Sequence, residues 1–161
     1  MTIKNTRRQQ EYPDTATFKY TNRNPKGRVK TGDCVYRALS EALGKDWCEV
    51  VRELAELACE TGYCPSYKDG YGTYLERQGF KKHKQPRHED GTKYTLAEFI
   101  DEHLSGTYLV KLPSHLTVVK AGKCHDTWDC TQFDSRVGNF WCKKEIKTTY
   151  EERIKRLIRK V

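Results

Sequence analysis

The sequence has no long apolar run. Its hydrophobic stretches extend only a few residues, far short of the roughly 20 needed to cross a bilayer as a helix. The opening ten residues, Met-Thr-Ile-Lys-Asn-Thr-Arg-Arg-Gln-Gln, lack the apolar centre of a secretion signal. A cytoplasmic protein with no membrane contact is the expectation. Internal repeats and low-complexity tracts are also absent, which excludes solenoids and disordered tails as the main architecture. Cysteine is not scarce, but its pattern lacks order. Seven is an odd number, and the spacings are irregular, so a disulfide framework is not expected. Cys59–Cys64 and Cys124–Cys130, with His125 and Cys142 nearby, lack the two-residue knuckle of a zinc site. No metal and no cofactor is expected.

What is present suits one polar domain with a real core. Hydrophobic residues make up 36% and charged ones 32%, with ten tyrosines and three tryptophans, across 161 residues. The net charge of +8 is unevenly placed. Residues 1–32 carry eight Lys/Arg against two acids, and 143–161 carry eight against three, whereas 33–142 carry fourteen against seventeen. The basic ends are solubilising charge or contacts for nucleic acid or an acidic protein. Residues 1–30 hold turn and extended signals and read as an extended basic arm, with a short strand at 17–20. Residues 31–147 form the central domain, and 148–161 a basic helix packed on it or extending from it.

Within the domain, helical periodicity comes first. Val35, Ala38, Leu39, Ala42 and Leu43 make one apolar face, with Asp33 as N-cap and Gly44 as the left-handed stop. A second helix follows Asp46, a glycine- and tyrosine-rich loop spans 62–72, and a short helix lies near 74–77. Residues 81–93 read as an exposed loop, and Thr95 caps a helix running to His103. After Gly106 the period changes to two, giving strands at 108–112 and 116–119, a turn at Ala121-Gly122, a returning strand at 124–128 and another at 140–142. Helices first and an antiparallel sheet afterwards make the fold class α+β.

Cys34 sits in the first turn of its helix, where unpaired amides and the positive end of the dipole favour a thiolate. If Val119 pairs with Cys124, then His115, Thr117, Asp126 and Trp128 share one face, and His115 is diagonal to Asp126. A one-residue slip would present Asp129 instead. Taken singly, each residue has a structural reading: a buried thiol, a core histidine, turn-capping acids and a core tryptophan. Taken together, they are a nucleophile, a base and its orienter.

Gly32-Asp33-Cys34-Val35-Tyr36-Arg37-Ala38-Leu39 resembles the nucleophile motif of papain-like cysteine peptidases, especially the Asp-Gly-x-Cys-Leu-Phe-Arg-Ala form of ovarian-tumour-type deubiquitinases. His115-Leu-Thr-Val-Val, a glycine turn and Asp126-Thr-Trp-Asp129 resemble the histidine and acid strands of that superfamily. Similar small proteins occur in phages and bacteria, so a viral origin would place this one in host cytoplasm. The resemblance implies a papain-like domain with its nucleophile helix packed on the sheet. It also implies hydrolysis of a peptide or isopeptide bond in a protein or peptide substrate, with Cys34, His115 and Asp126 as triad and Asp129 in reserve. Papain's oxyanion-holding glutamine, six residues before the cysteine, corresponds to Val29 here. The oxyanion would therefore rest on the Cys34 amide and a second donor, either a backbone amide near Lys30–Asp33 or the side chain of Asn24. Trp128 would line the substrate side. The rival expectations are an inactive binding module that uses the basic ends, and acyl transfer or deamidation by the same triad.

Overall fold

The computed structural model describes residues 6–143, together with 154 and 157–159. The helix expected at 148–161 lies outside the described residues, apart from those last helical positions. In chain order come α1 (Thr6–Glu11), β1 (Phe18–Tyr20), α2 (Cys34–Leu43), α3 (Trp47–Thr61), α4 (Lys68–Arg77), β2 (Lys81–His83), α5 (Leu96–Glu102), β3 (Thr107–Leu112), β4 (His115–Lys120), β5 (Lys123–Asp126), a 3-10 turn (Cys130–Gln132) and β6 (Phe140–Cys142). The class is α+β with a six-stranded mixed sheet in the order β1-β5-β4-β3-β6-β2. Among the described residues, no helix is long and apolar enough to cross a membrane.

The hairpins follow from local chemistry. Pro113-Ser114 closes β3 onto β4 so that Leu112 faces His115, with Ser114 at a φ of 52°. Proline followed by a positive φ is a type II turn pattern. Ala121-Gly122 returns β4 into β5 with Val119 opposite Cys124, the register that puts Thr117 beside Asp126. Side-chain alternation then divides the interior. Leu109, Leu116, Val118 and Trp141 pack beneath α2, α3 and α4, against Leu39, Leu54 and Leu75. Val110, Leu112, Val119 and Phe140 pack on the other face with Phe18 and with Leu96, Phe99 and Ile100 of α5.

Several expectations are corrected. The stretch 1–30 is not simply an extended arm, because it contains α1 and delivers β1 to the sheet edge. There β1 pairs parallel to β5, with Phe18 opposite Cys124 and fully buried. The sheet is therefore mixed rather than antiparallel. Lys81–His83, expected in a loop, pair with β6 as an edge strand. The glycine-rich segment before Tyr74 is helical from Lys68 onward. Gly70 is there for clearance, since a Cβ would stand 2.2 Å from the Cys64 carbonyl oxygen. Low helix propensity yields to that close approach.

Candidate active site

The ends of three elements meet at one place. Cys34 is the first residue of α2, His115 the first of β4 and Asp126 the last of β5. Because β4 and β5 are antiparallel, the start of one lies beside the end of the other. The half-buried Cys34 comes up against the same end of the sheet, where the Leu116 backbone N–H donates to its sulfur. His115 spans the gap. Its Nε2 lies 2.7 Å from Asp126 Oδ2, and the ring also hydrogen-bonds Cys34, which leaves Nδ1 for the sulfur.

Asp126 is buried and heavily bonded. Thr117 Oγ1 donates to Oδ2 at 2.7 Å, while Arg37 Nη1 at 2.9 Å and the Thr127 N–H at 2.7 Å donate to Oδ1. Burial pushes its carboxyl pKa up, but the hydrogen bond and charge of His115, with Arg37 and Thr117, hold it well below the usual range. His115 is also shifted. Burial pulls its pKa down, yet hydrogen bonds to Asp126 and Cys34 and their negative charges raise it to about 9. The Cys34 thiol moves the other way. Burial disfavours its thiolate, but His115, the Leu116 amide and the Arg37 charge overcome that and lower its pKa. Opposite shifts on sulfur and imidazole move this pair toward thiolate and imidazolium.

Asp129 does not join this group. Its carboxylate caps the 3-10 turn, accepting from the Thr131 N–H at 3.0 Å and from the Thr131 hydroxyl. Trp128 stands against His115 with ring centroids 5.0 Å apart, and the half-exposed Phe133 meets it edge-on at 5.4 Å. Asp33 occupies the N-cap position but does not cap, because its side chain accepts nothing from the helix amides. Instead it accepts from Arg37 Nε at 2.9 Å, Asn24 Nδ2 at 3.0 Å and Trp47 Nε1 at 3.2 Å. The first-turn amides beside Cys34 are thus left uncapped by Asp33. Asn24 braces the loop: its Nδ2 is engaged with Asp33, and its Oδ1 takes the Lys26 and Arg28 amides. One of the two Nδ2 hydrogens of Asn24 is thereby committed to Asp33.

Sequence reasoning missed three neighbours. Arg37 was visible only as part of the motif, although a base three residues after the cysteine lies on the same helix face. Tyr71 lies close enough that burial, with the Cys34 charge, pushes its pKa up to about 12. No local signal marks it, because it arrives on α4. Cys130 approaches Asp126 Oδ2 at 3.6 Å, and burial foremost raises its thiol pKa. His115, Asp126 and Cys130 are the one group among the described residues whose ligand atoms cluster closely enough for a metal, within 4.8 Å. The Arg37 guanidinium on the same carboxylate would repel a dication there. Comparison with family models, curated proteins and solved structures finds no match.

Proposed function

We propose that this chain is a cysteine hydrolase of papain-like type that cleaves a peptide or isopeptide bond. The observation that carries the reading is the double engagement of His115, which bonds Cys34 on one side and Asp126 on the other. Further support comes from the helix-mouth position of the sulfur and from the order of elements, a nucleophile helix packed on the strands that bring the histidine and the acid.

In this reading the Cys34 thiolate attacks the substrate carbonyl carbon, and the oxygen takes the negative charge. The uncapped first-turn amides of α2 stabilise that oxyanion. The His115 imidazolium gives its proton to the departing nitrogen, the C–N bond breaks and a thioester remains on Cys34. Water then enters, His115 accepts its proton, and the resulting hydroxide attacks the thioester carbon. The C–S bond breaks and Cys34 leaves as thiolate, with the imidazolium restored. Asp126 remains ionised throughout and holds the ring in the required tautomer.

The test is mass detection of a covalent adduct between the chain and peptides or ubiquitin-like C-termini that carry an electrophile. The expected adduct maps to Cys34 and is lost in His115→Ala. Modification spread over the exposed Cys59 and Cys64 would sink the reading. Salt-sensitive nucleic-acid binding unchanged in Cys34→Ala, with no adduct, would favour a binding module instead. Products carrying an amine in place of hydroxyl would redefine the reaction as acyl transfer.

A further inference from the structure

Arg37 is better placed than a salt-bridging arginine needs to be. It lies one turn after Cys34 on α2, and its side chain is 11% exposed. Its guanidinium takes Asp33 Oδ1 through Nε at 2.9 Å, and through Nη1 it takes Asp126 Oδ1 at 2.9 Å and Thr127 Oγ1 at 3.2 Å. Asp33 is itself fixed by Asn24 and Trp47. Because Asp33 precedes Cys34 in the chain, the contacts close into a circuit: Cys34 to His115, His115 to Asp126, Asp126 to Arg37, Arg37 to Asp33, and back to Cys34.

We infer that Arg37 is a positioning residue of this site, whose guanidinium fork ties the mouth of the nucleophile helix to the acid at the end of β5 and so sets the separation of Cys34 from His115. The inference rests on the hydrolase reading. Three physical points support it. A carboxylate with two free oxygens can rotate. Here Arg37 and the Thr127 amide hold Oδ1, so Oδ2 is presented to His115 and Thr117. A planar fork spanning two carboxylates fixes direction as well as charge, which a lysine ammonium cannot do. A buried ion cluster is also an inefficient way to gain stability, since apolar residues of similar volume often do as well. Fixing one geometry is the use such a cluster is suited to.

The experiment measures the rate at which iodoacetamide alkylates Cys34 at neutral pH, resolved by site with mass spectrometry, in the full chain. The variants are Arg37→Gln, Arg37→Lys, Asp126→Asn and the Arg37→Gln/Asp126→Asn pair, each checked for a cooperative thermal melt. Misplacement on the order of an ångström costs roughly 100-fold. Arg37→Gln is therefore expected to slow Cys34 by about that factor, with Arg37→Lys intermediate. In the Asp126→Asn background the Gln substitution should add less than about threefold, because the group Arg37 positions has already gone. A merely structural arginine would slow both backgrounds equally, and that result overturns the inference. So does wild-type reactivity in Arg37→Gln or Arg37→Lys, and the lysine variant carries the test alone if the glutamine variant fails to melt cooperatively. A wild-type Cys34 no faster than the exposed Cys59 and Cys64 would instead remove the hydrolase reading, and this inference with it.

Discussion

Two clusters of buried charge share the same elements, and only one brings its histidine to a thiol. One turn beyond Arg37 on α2, Glu41 receives Arg23 at 2.6 Å, Lys120 at 3.0 Å and His125 at 3.4 Å. Both clusters have a buried carboxylate, a strand histidine and an arginine, and a small cavity lined by Arg23, Cys34, Arg37, Glu41, His125 and Asp126 runs between them. Burial pushes the Glu41 carboxyl pKa up, yet hydrogen bonds from His125, Arg23 and Lys120, with the Arg23 charge, hold it far below the usual range, as His115 and Arg37 do for Asp126. The histidines differ. The two nitrogens of His125 are occupied by structural partners, Nε2 by the Lys120 carbonyl at 3.2 Å and Nδ1 by Glu41 and Thr21. His115 has one nitrogen on its acid and the other on a thiol at a helix mouth. A perturbed acid therefore marks a packed charge cluster. A histidine that ends on a thiol is what sets the proposed site apart.

The widest separation between the clusters is expected on removing each histidine. His115→Ala should slow alkylation of Cys34 by roughly 10²–10⁴-fold, the usual range for a lost general base. His125→Ala should leave that rate within about threefold and cost about 1–2 kcal/mol in urea unfolding through its lost hydrogen bonds. Equal losses of reactivity would erase the distinction drawn here. The acids give the next contrast. Asp126→Asn should slow Cys34 by about 100-fold or more, because the tautomer and orientation of His115 are no longer imposed. Glu41→Gln should leave reactivity intact and destabilise the fold. A buried ion pair broken on one side costs about 3–5 kcal/mol. Arg23 and Lys120 are about two-fifths exposed, at 40% and 38%, so screening brings that to about 1–3 kcal/mol.

The grouping of Cys34, His115 and Asp126 was largely legible because it is written in local periods. Alternation along β4 and β5 and a two-residue turn are enough to set His115 diagonal to Asp126, and helical spacing is enough to set Cys34 at a helix mouth. What escaped the sequence depended on long-range partners. No hairpin joins β1 to β5, so nothing local reveals that they pair, or that they run parallel. The glycines of α4 read as a loop until the Cys64 carbonyl that Gly70 admits is placed beside it. Asp33 reads as a cap because aspartate at that position usually is one. Arg37, Asn24 and Trp47 compete for the same oxygens and win.

The smallest expected effect is a pH signature of the sulfur–imidazole pair. Unfolded, His115 titrates near 6.5 and Cys34 near about 8.5. Folded, His115 titrates at about 9 and Cys34 lower than its free value. As the pH rises, folded Cys34 gives up its proton before unfolded Cys34 does, and there the unfolded chain holds more protons on the sulfur, so that contribution to stability rises with pH. Across about 6.5 to about 8.5 the raised His115 pulls stability down with pH, because the folded ring keeps the proton that the unfolded ring loses, while the lowered Cys34 pulls it up, so the two contributions oppose. Above that the unfolded chain holds none, and stability falls as the pH passes about 9. Cys34→Ser removes the thiol and keeps Asp126 as the partner that raises His115. Its stability should then fall with pH from about 6.5 upward, by at most about 1.4 kcal/mol per pH unit. Urea unfolding of wild type and Cys34→Ser at half-unit steps gives a difference in which the other titrating groups cancel. That difference should grow with pH between about 6.5 and about 8.5, because only wild type has the opposing sulfur contribution. A difference that stays constant would mean that no proton passes from sulfur to ring on folding, leaving the His115 cluster chemically as quiet as the one around Glu41.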